Sequence, residues 1–156
     1  MDNKILVAFD DSENAMRTVE YIVKYFGKDN KITLFNITQD SSTLCDMNSP
    51  ELTPYFKSQQ TSFCTLEDKK KSLVNNALEK AREKLTTAGF EGKNVIIKTQ
   101  NKKKGVARDI VKEAQSGYNT IVIGRRGLSG IKEFILGSIS QKVFNLVNDI
   151  SVLVVN

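Results

Sequence analysis

The sequence predicts an α/β fold of Rossmann-like type: an open five-stranded parallel sheet with helices on both faces. Three observations carry this. Short, almost wholly apolar runs such as Lys4-Ile-Leu-Val-Ala-Phe9 and Thr120-Ile-Val-Ile123 read as strands buried on both faces. Between such runs lie segments whose apolar residues recur with helical period. The two kinds alternate along the chain, which implies βαβ units and a mostly parallel sheet.

The first strand ends at Asp10-Asp11-Ser12. Ser12 is a good N-cap for a helix whose apolar face is Ala15, Val19, Ile22, Val23 and Phe26, and Gly27 is expected to close it. The second strand is predicted from Asn30 to Ile37, rich in strand formers. From Thr38 to about Thr61 periodicity is lost, and both prolines, Pro50 and Pro54, fall there. That stretch is expected to be irregular: a lid, a partner-facing loop or partly disordered.

A long helix is predicted from about Leu66 to Ala88, stopped by Gly89. The third strand is Lys93 to Thr99, and Val106, Ile110, Val111 and Ala114 mark an amphipathic helix closed by Gly117. The fourth strand, Thr120 to Ile123, leads into a glycine-rich stretch. A last helix covers Ile139 to Val147 and a fifth strand Ile150 to Val155.

No repeat or linker interrupts this order, so one domain over 1–156 is expected. There is no run of 18 apolar residues and no basic-then-apolar N-terminal pattern, so a cytoplasmic protein without membrane contact is expected. Cys45 and Cys64 are then expected to be reduced thiols. The chain has no histidine, which removes His-based triads, His zinc sites and a His general base. Net charge is +5, but the runs Lys69–Lys71 and Lys102–Lys104 have no aromatic residues interleaved. Solvated faces explain them better than nucleic acid does.

Gly124, Gly127 and Gly130 stand at intervals of three, and Gly137 directly precedes Ser138-Ile139-Ser140. Glycine permits close approach of backbone to a ligand. The first N–H groups of a helix lack internal partners, and the helix dipole favours anions there. Ser138 and Ser140 offer hydroxyls, or Ser138 caps the helix. The stretch is a plausible phosphate cradle. It has neither the Gly-Lys-Ser/Thr ending of a P-loop nor Gly-x-Gly-x-x-Gly. If the strand order is 3-2-1-4-5, the reversal lies between strands one and four, where such sheets bind ligands. Asp10 then faces the glycine stretch across one crevice, for a ribose hydroxyl or a metal-held water, or as a helix cap, roles that can coexist.

The spacing Gly124-x2-Gly127-x9-Gly137-Ser138 resembles the nucleotide-binding signature of the universal stress protein family. The likeness extends to Ile-Leu-Val-Ala-Phe-Asp10-Asp-Ser12 at one end and Ser151-Val-Leu-Val-Val155 at the other. It implies the order 3-2-1-4-5, a homodimer joined through the last strand, and ATP binding with Mg²⁺ carried on the phosphates. It implies that Ala8, Phe9 and Asp10 line the nucleoside end, and that Ile37 offers backbone groups to adenine. Gly124 and Gly127 would approach ribose and phosphates; Gly137, Ser138, Ile139 and Ser140 would hold phosphates by N–H and hydroxyl. Gly130 lies outside the three-glycine spacing, and Arg126 is an additional phosphate candidate. The chain departs from many members at Lys104-Gly105-Val106, which receives no ligand role.

No general base and no protein metal site is evident, so slow hydrolysis or self-phosphorylation on Ser or Thr is expected at most. The alternative is a nucleotide-independent dimeric module acting through partner contacts. An adenylating enzyme is disfavoured, because a Ser-Gly-Gly-x-Asp-Ser loop is absent from the N-terminal region.

Overall fold

The computed structural model describes residues 3–10, 12–125 and 136–156. Five strands, β1 (Lys4–Ala8), β2 (Lys31–Thr38), β3 (Val95–Asn101), β4 (Thr120–Gly124) and β5 (Ser151–Val155), form one sheet. Every pairing is parallel and the order is β3-β2-β1-β4-β5, as expected. The helices are α1 (Glu13–Tyr25), α2 (Ser42–Cys45), α3 (Pro54–Thr87), α4 (Val106–Ala114) and α5 (Ser138–Leu146).

The apolar runs become strands because both their faces are covered. Ile5 and Val7 join Val19, Ile22, Leu78, Ala81 and Leu85 in one core under α1 and α3. Leu6, Ile121 and Ile123 join Ile110, Ala114 and Val143 in a second core under α4 and α5. Odd and even residues of a strand point to opposite faces, so each run feeds both cores.

Three expectations need correction. The first concerns residues 38–61, which hold a short helix and the start of a long one. Pro54 does not break α3 but begins it. Thr53 caps the helix by accepting the Phe56 N–H at 3.2 Å, and proline is favoured in the first helical position, where its missing N–H costs nothing. The second concerns the cysteines. Cys45 and Cys64 form a disulfide with a Cα–Cα distance of 5.9 Å, because α2 folds back against the early turns of α3. The third concerns Gly27. Phe26 ends α1 in an extended conformation, and Gly27 has no positive φ. The turn is held instead by Asn30, whose backbone N–H and Nδ2 both donate to the Gly27 carbonyl.

The four buried residues of α3 are Val74, Leu78, Ala81 and Leu85, all in its second half. Leu66 projects into solvent, 64% exposed, against 1% for Leu78. Urea unfolding should therefore show Leu78→Ala losing about 2–5 kcal/mol and Leu66→Ala less than about 0.5 kcal/mol.

Candidate functional site

A cavity of about 260 Å³ opens at the C-terminal edge of the sheet, between the ends of β1 and β4. Ala8, Phe9 and Asp10 line it from β1 and Ile37 from β2. Gly124 lines it from β4, and Gly137, Ser138, Ile139 and Ser140 from the start of α5. Arg126, Gly127 and Gly130 lie outside the described residues.

The sequence reading missed other lining residues. Phe35, Val106, Ile110 and Ile123 give the cavity an apolar wall shared with the second core. Val106 and Ile110 were legible as the apolar face of a helix. Their place at the cavity depends on how α4 packs, which no local pattern states. Ser12, Ala15 and Asn36 complete the lining on the side of α1.

Local chemistry fixes what these groups can offer. Asp10 is not the helix cap: Ser12 is, accepting the Ala15 N–H at 3.2 Å. Asp10 Oδ1 accepts the Ser12 N–H at 2.8 Å, which orients the carboxylate at the rim. Gly137 is the N-cap of α5, so Ser138 is its first helical residue. The Gly137 N–H donates to the Arg125 carbonyl at 2.8 Å. The Ser140 hydroxyl lies 3.0 Å from the Arg125 carbonyl and 2.9 Å from the Gly137 carbonyl, sharing its proton between them. Neither donor is available to an anion in this arrangement. The Ser138 hydroxyl and the first-turn N–H groups of Ser138, Ile139 and Ser140 remain, and these have no carbonyl within the helix to bond.

Asn36 is 5% exposed and its Nδ2 donates to the Phe9 carbonyl at 2.8 Å. Its Oδ1 is buried without a hydrogen-bond partner among the described residues. Such acceptors are uncommon in native proteins and point to a missing donor, from water or ligand.

Gly124 has a packing role. A Cβ there would lie 3.0 Å from the Asn14 Cβ and 3.3 Å from its backbone carbonyl. The close approach that glycine permits is therefore to α1. At α4, Gly105 adopts φ +131, a conformation that side chains rarely take. Asp109, 5% exposed, accepts the N–H groups of Lys103 at 2.7 Å and Lys104 at 3.1 Å. Burial alone would raise its pKa. The three N–H groups of Lys103, Lys104 and Gly105, with the Lys103 charge, outweigh that and hold the carboxyl below its ordinary value. Asp109 thus pins the turn that places Val106 and Ile110 against the cavity.

The chain belongs to the universal stress protein family, whose profile matches residues 1–156. It is 30% identical over 147 residues to Universal stress protein YxiE of Bacillus subtilis (strain 168), covering 94% of each chain. Among solved structures it is similar to the universal stress protein UspA from Lactobacillus plantarum, with TM-score 0.71 and 18% identity, covering 99% of this chain and 97% of that one. It is also similar to a universal stress protein crystallised in complex with cAMP, with TM-score 0.63 and 16% identity, covering 99% of this chain and 97% of that one. At these identities the two structures establish the fold.

Gly124→Ala should push α1 from β4 and cost about 1–3 kcal/mol in denaturant unfolding. Asp109 contributes stability above its ordinary pKa of 3.8 that is lost as pH falls through the lower folded value. Asp109→Asn should therefore be less stable than the parent at neutral pH. Its acid unfolding profile should lose part of the slope seen below about pH 4, and a pH series of urea melts checks both.

Proposed function

We propose that this chain binds an adenine nucleotide, ATP being the best fit, and acts as a dimeric regulatory protein. The observation that carries the proposal is the composition of the cavity. An apolar slot formed by Phe35, Ile37, Val106 and Ile123 meets the N-terminus of α5 within one enclosure. A flat base suits the slot, and phosphates suit the unbonded N–H groups and positive dipole end of a helix. The unpartnered Asn36 Oδ1 calls for a donor, which a ligand N–H or O–H, or a water bound with it, supplies. Asp10 at the rim is suited to a ribose hydroxyl. The cAMP complex of a relative of the same fold is consistent with a nucleotide in this family.

Among the described residues no group of three or more His, Cys, Asp and Glu could hold a metal ion. Mg²⁺ therefore fits best as an ion arriving on the phosphates, with Asp10 the one carboxylate lining the cavity among the described residues. Among the described lining residues Asp10 is accompanied by no lysine, tyrosine or histidine, a sparse set for activating a water, and the proposal includes slow hydrolysis at most. The homodimer is proposed through β5, which pairs with β4 along one edge and, among the described residues, leaves its other edge unpaired. No helix among the described residues is long and apolar enough to cross a membrane. A cytoplasmic location belongs to the same proposal.

A second reading, action through protein contacts without nucleotide, is favoured by the exposed Tyr55, Phe63, Leu66 and Leu73 of α3. Calorimetric titration with ATP and Mg²⁺ separates the two, and absence of binding at millimolar ATP ends the first. Ser138 is exposed at the first turn of α5. Ser138→Glu should leave stability unchanged or raise it by about 0.3–1 kcal/mol, since a carboxylate suits that helix end. The same charge should weaken ATP at least about tenfold by opposing the phosphates. A variant that binds as tightly as the parent removes the phosphates from this helix.

A further inference from the structure

The connection from β2 to the anchored half of α3 is an arm with an unusual way of staying ordered. None of its residues from Ser42 to Leu73 is buried. Phe56 and Phe63 lie on the face of α3 that Val74, Leu78, Ala81 and Leu85 continue into the core, yet both remain more than a third exposed. In the intervening sequence, Ser58-Gln-Gln-Thr-Ser62, three of five residues are serine or threonine, which favour a helix less than the glutamines between them. Thr61 and Thr65 turn their hydroxyls back onto the carbonyls of Lys57 and Thr61, a habit that slightly weakens a helix. Two devices tie α2 to α3: the Cys45–Cys64 disulfide, and Gln60, whose Nε2 donates to the Leu44 carbonyl at 2.6 Å and the Met47 carbonyl at 2.9 Å. These cysteines are the only two in the chain, 19 residues apart.

We infer that Cys45 and Cys64 are a reversible thiol–disulfide site, and that its state sets whether α2 and the first turns of α3 stay ordered. Both cysteines are only half-buried, so a small reagent reaches them. The oxidant is a low-molecular-weight disulfide. One cysteine thiolate attacks a sulfur of that disulfide, forming a mixed disulfide and releasing one small thiol. The other cysteine thiolate then attacks the protein sulfur of the mixed disulfide, closing Cys45–Cys64 and releasing the second small thiol. Two electrons pass to the small disulfide, and the two cysteine protons end on the two released thiols.

Reduction reverses the sequence and leaves α2 tied to α3 by the Gln60 hydrogen bonds and their packing. The second half of α3 has already met the cost of helix nucleation, so the first half frays from its free end rather than unfolding as a unit. The sheet and its two cores contain no residue of the arm and keep their packing.

The test uses the full chain equilibrated with oxidised or reduced glutathione. Thiol alkylation with mass readout reports the bond, and hydrogen exchange reports order. The expected result is reversible loss of both thiols under oxidised glutathione. On reduction, amide exchange between residues 42 and 64 should quicken by at least about tenfold, with residues 74 to 85 unchanged. The double variant Cys45→Ser, Cys64→Ser should exchange like the reduced protein in either buffer. Full alkylation after oxidised glutathione overturns the proposal, as does a smaller change in arm exchange. Equal quickening through residues 74 to 85 also overturns it, because the bond would then be a staple for the whole fold.

Discussion

Between β1 and β4 the chain reverses the direction in which it adds strands, and that reversal sets where everything else goes. From β1 it builds outward through β2 to β3, with α1 and α3 on one face. It then returns through α4 to β4 and on to β5, with α4 and α5 on the other face. Right-handed crossovers leave no other placement for helices in that strand order. The helices that follow β1 and β4 lie on opposite faces, and no backbone among the described residues fills the gap between those two strand ends. The cavity is what remains, and α5 necessarily starts at its edge.

Because the cavity follows from topology, the side chains around it serve two tasks at once. Gly124 admits Asn14 of α1 on one face while bordering the cavity on the other. Asp109 touches no cavity surface, yet it ties down Lys103 and Lys104, and so fixes the start of the helix that walls the apolar side. A buried carboxylate would be costly in isolation; here three backbone N–H groups take the place of the water it gave up. The Ser140 hydroxyl and Gly137 N–H close the junction of β4 and α5 through the Arg125 carbonyl. Groups that look like phosphate donors in the sequence are therefore the fasteners that aim the remaining donors.

This explains which parts could be read from the residues alone. Strands such as Ile5-Leu6-Val7 announce themselves because burial on both faces leaves no room for polar residues. Helix α4 was legible for the opposite reason, having one buried face and one wet one. The first half of α3 has neither signature, since it buries nothing, and two nearby prolines disguised a capped helix start as a break. The Thr53-Pro54 pair was the available signal. The disulfide was invisible for a different reason: proximity of residues 45 and 64 arises only when α2 folds back on α3. For the site, adjacency along the chain delivered the start of α5 and the end of β1. The contribution of Asn36 and α4 needed the packing.

The arm and the cavity lie on consecutive stretches of chain, so mechanical coupling between them has to pass through the end of β2. Asn36 and Ile37 border the cavity, and Thr38 ends the strand before α2 begins. Thr38 is held on its β3 side: its carbonyl accepts the Lys102 N–H at 2.7 Å, and its hydroxyl lies 3.0 Å from Asn101 Oδ1. Asn36 is held on the β1 side through the Phe9 carbonyl. A loosened arm would have to break those bonds before it could shift Ile37, and they belong to the sheet, the most cooperative part of the fold. Coupling needs an element with two arrangements that both sites bias, and these bonds hold the end of β2 against a second one. Order in the arm and occupancy of the cavity are thus expected to vary independently. A partner that reads both must contact both surfaces.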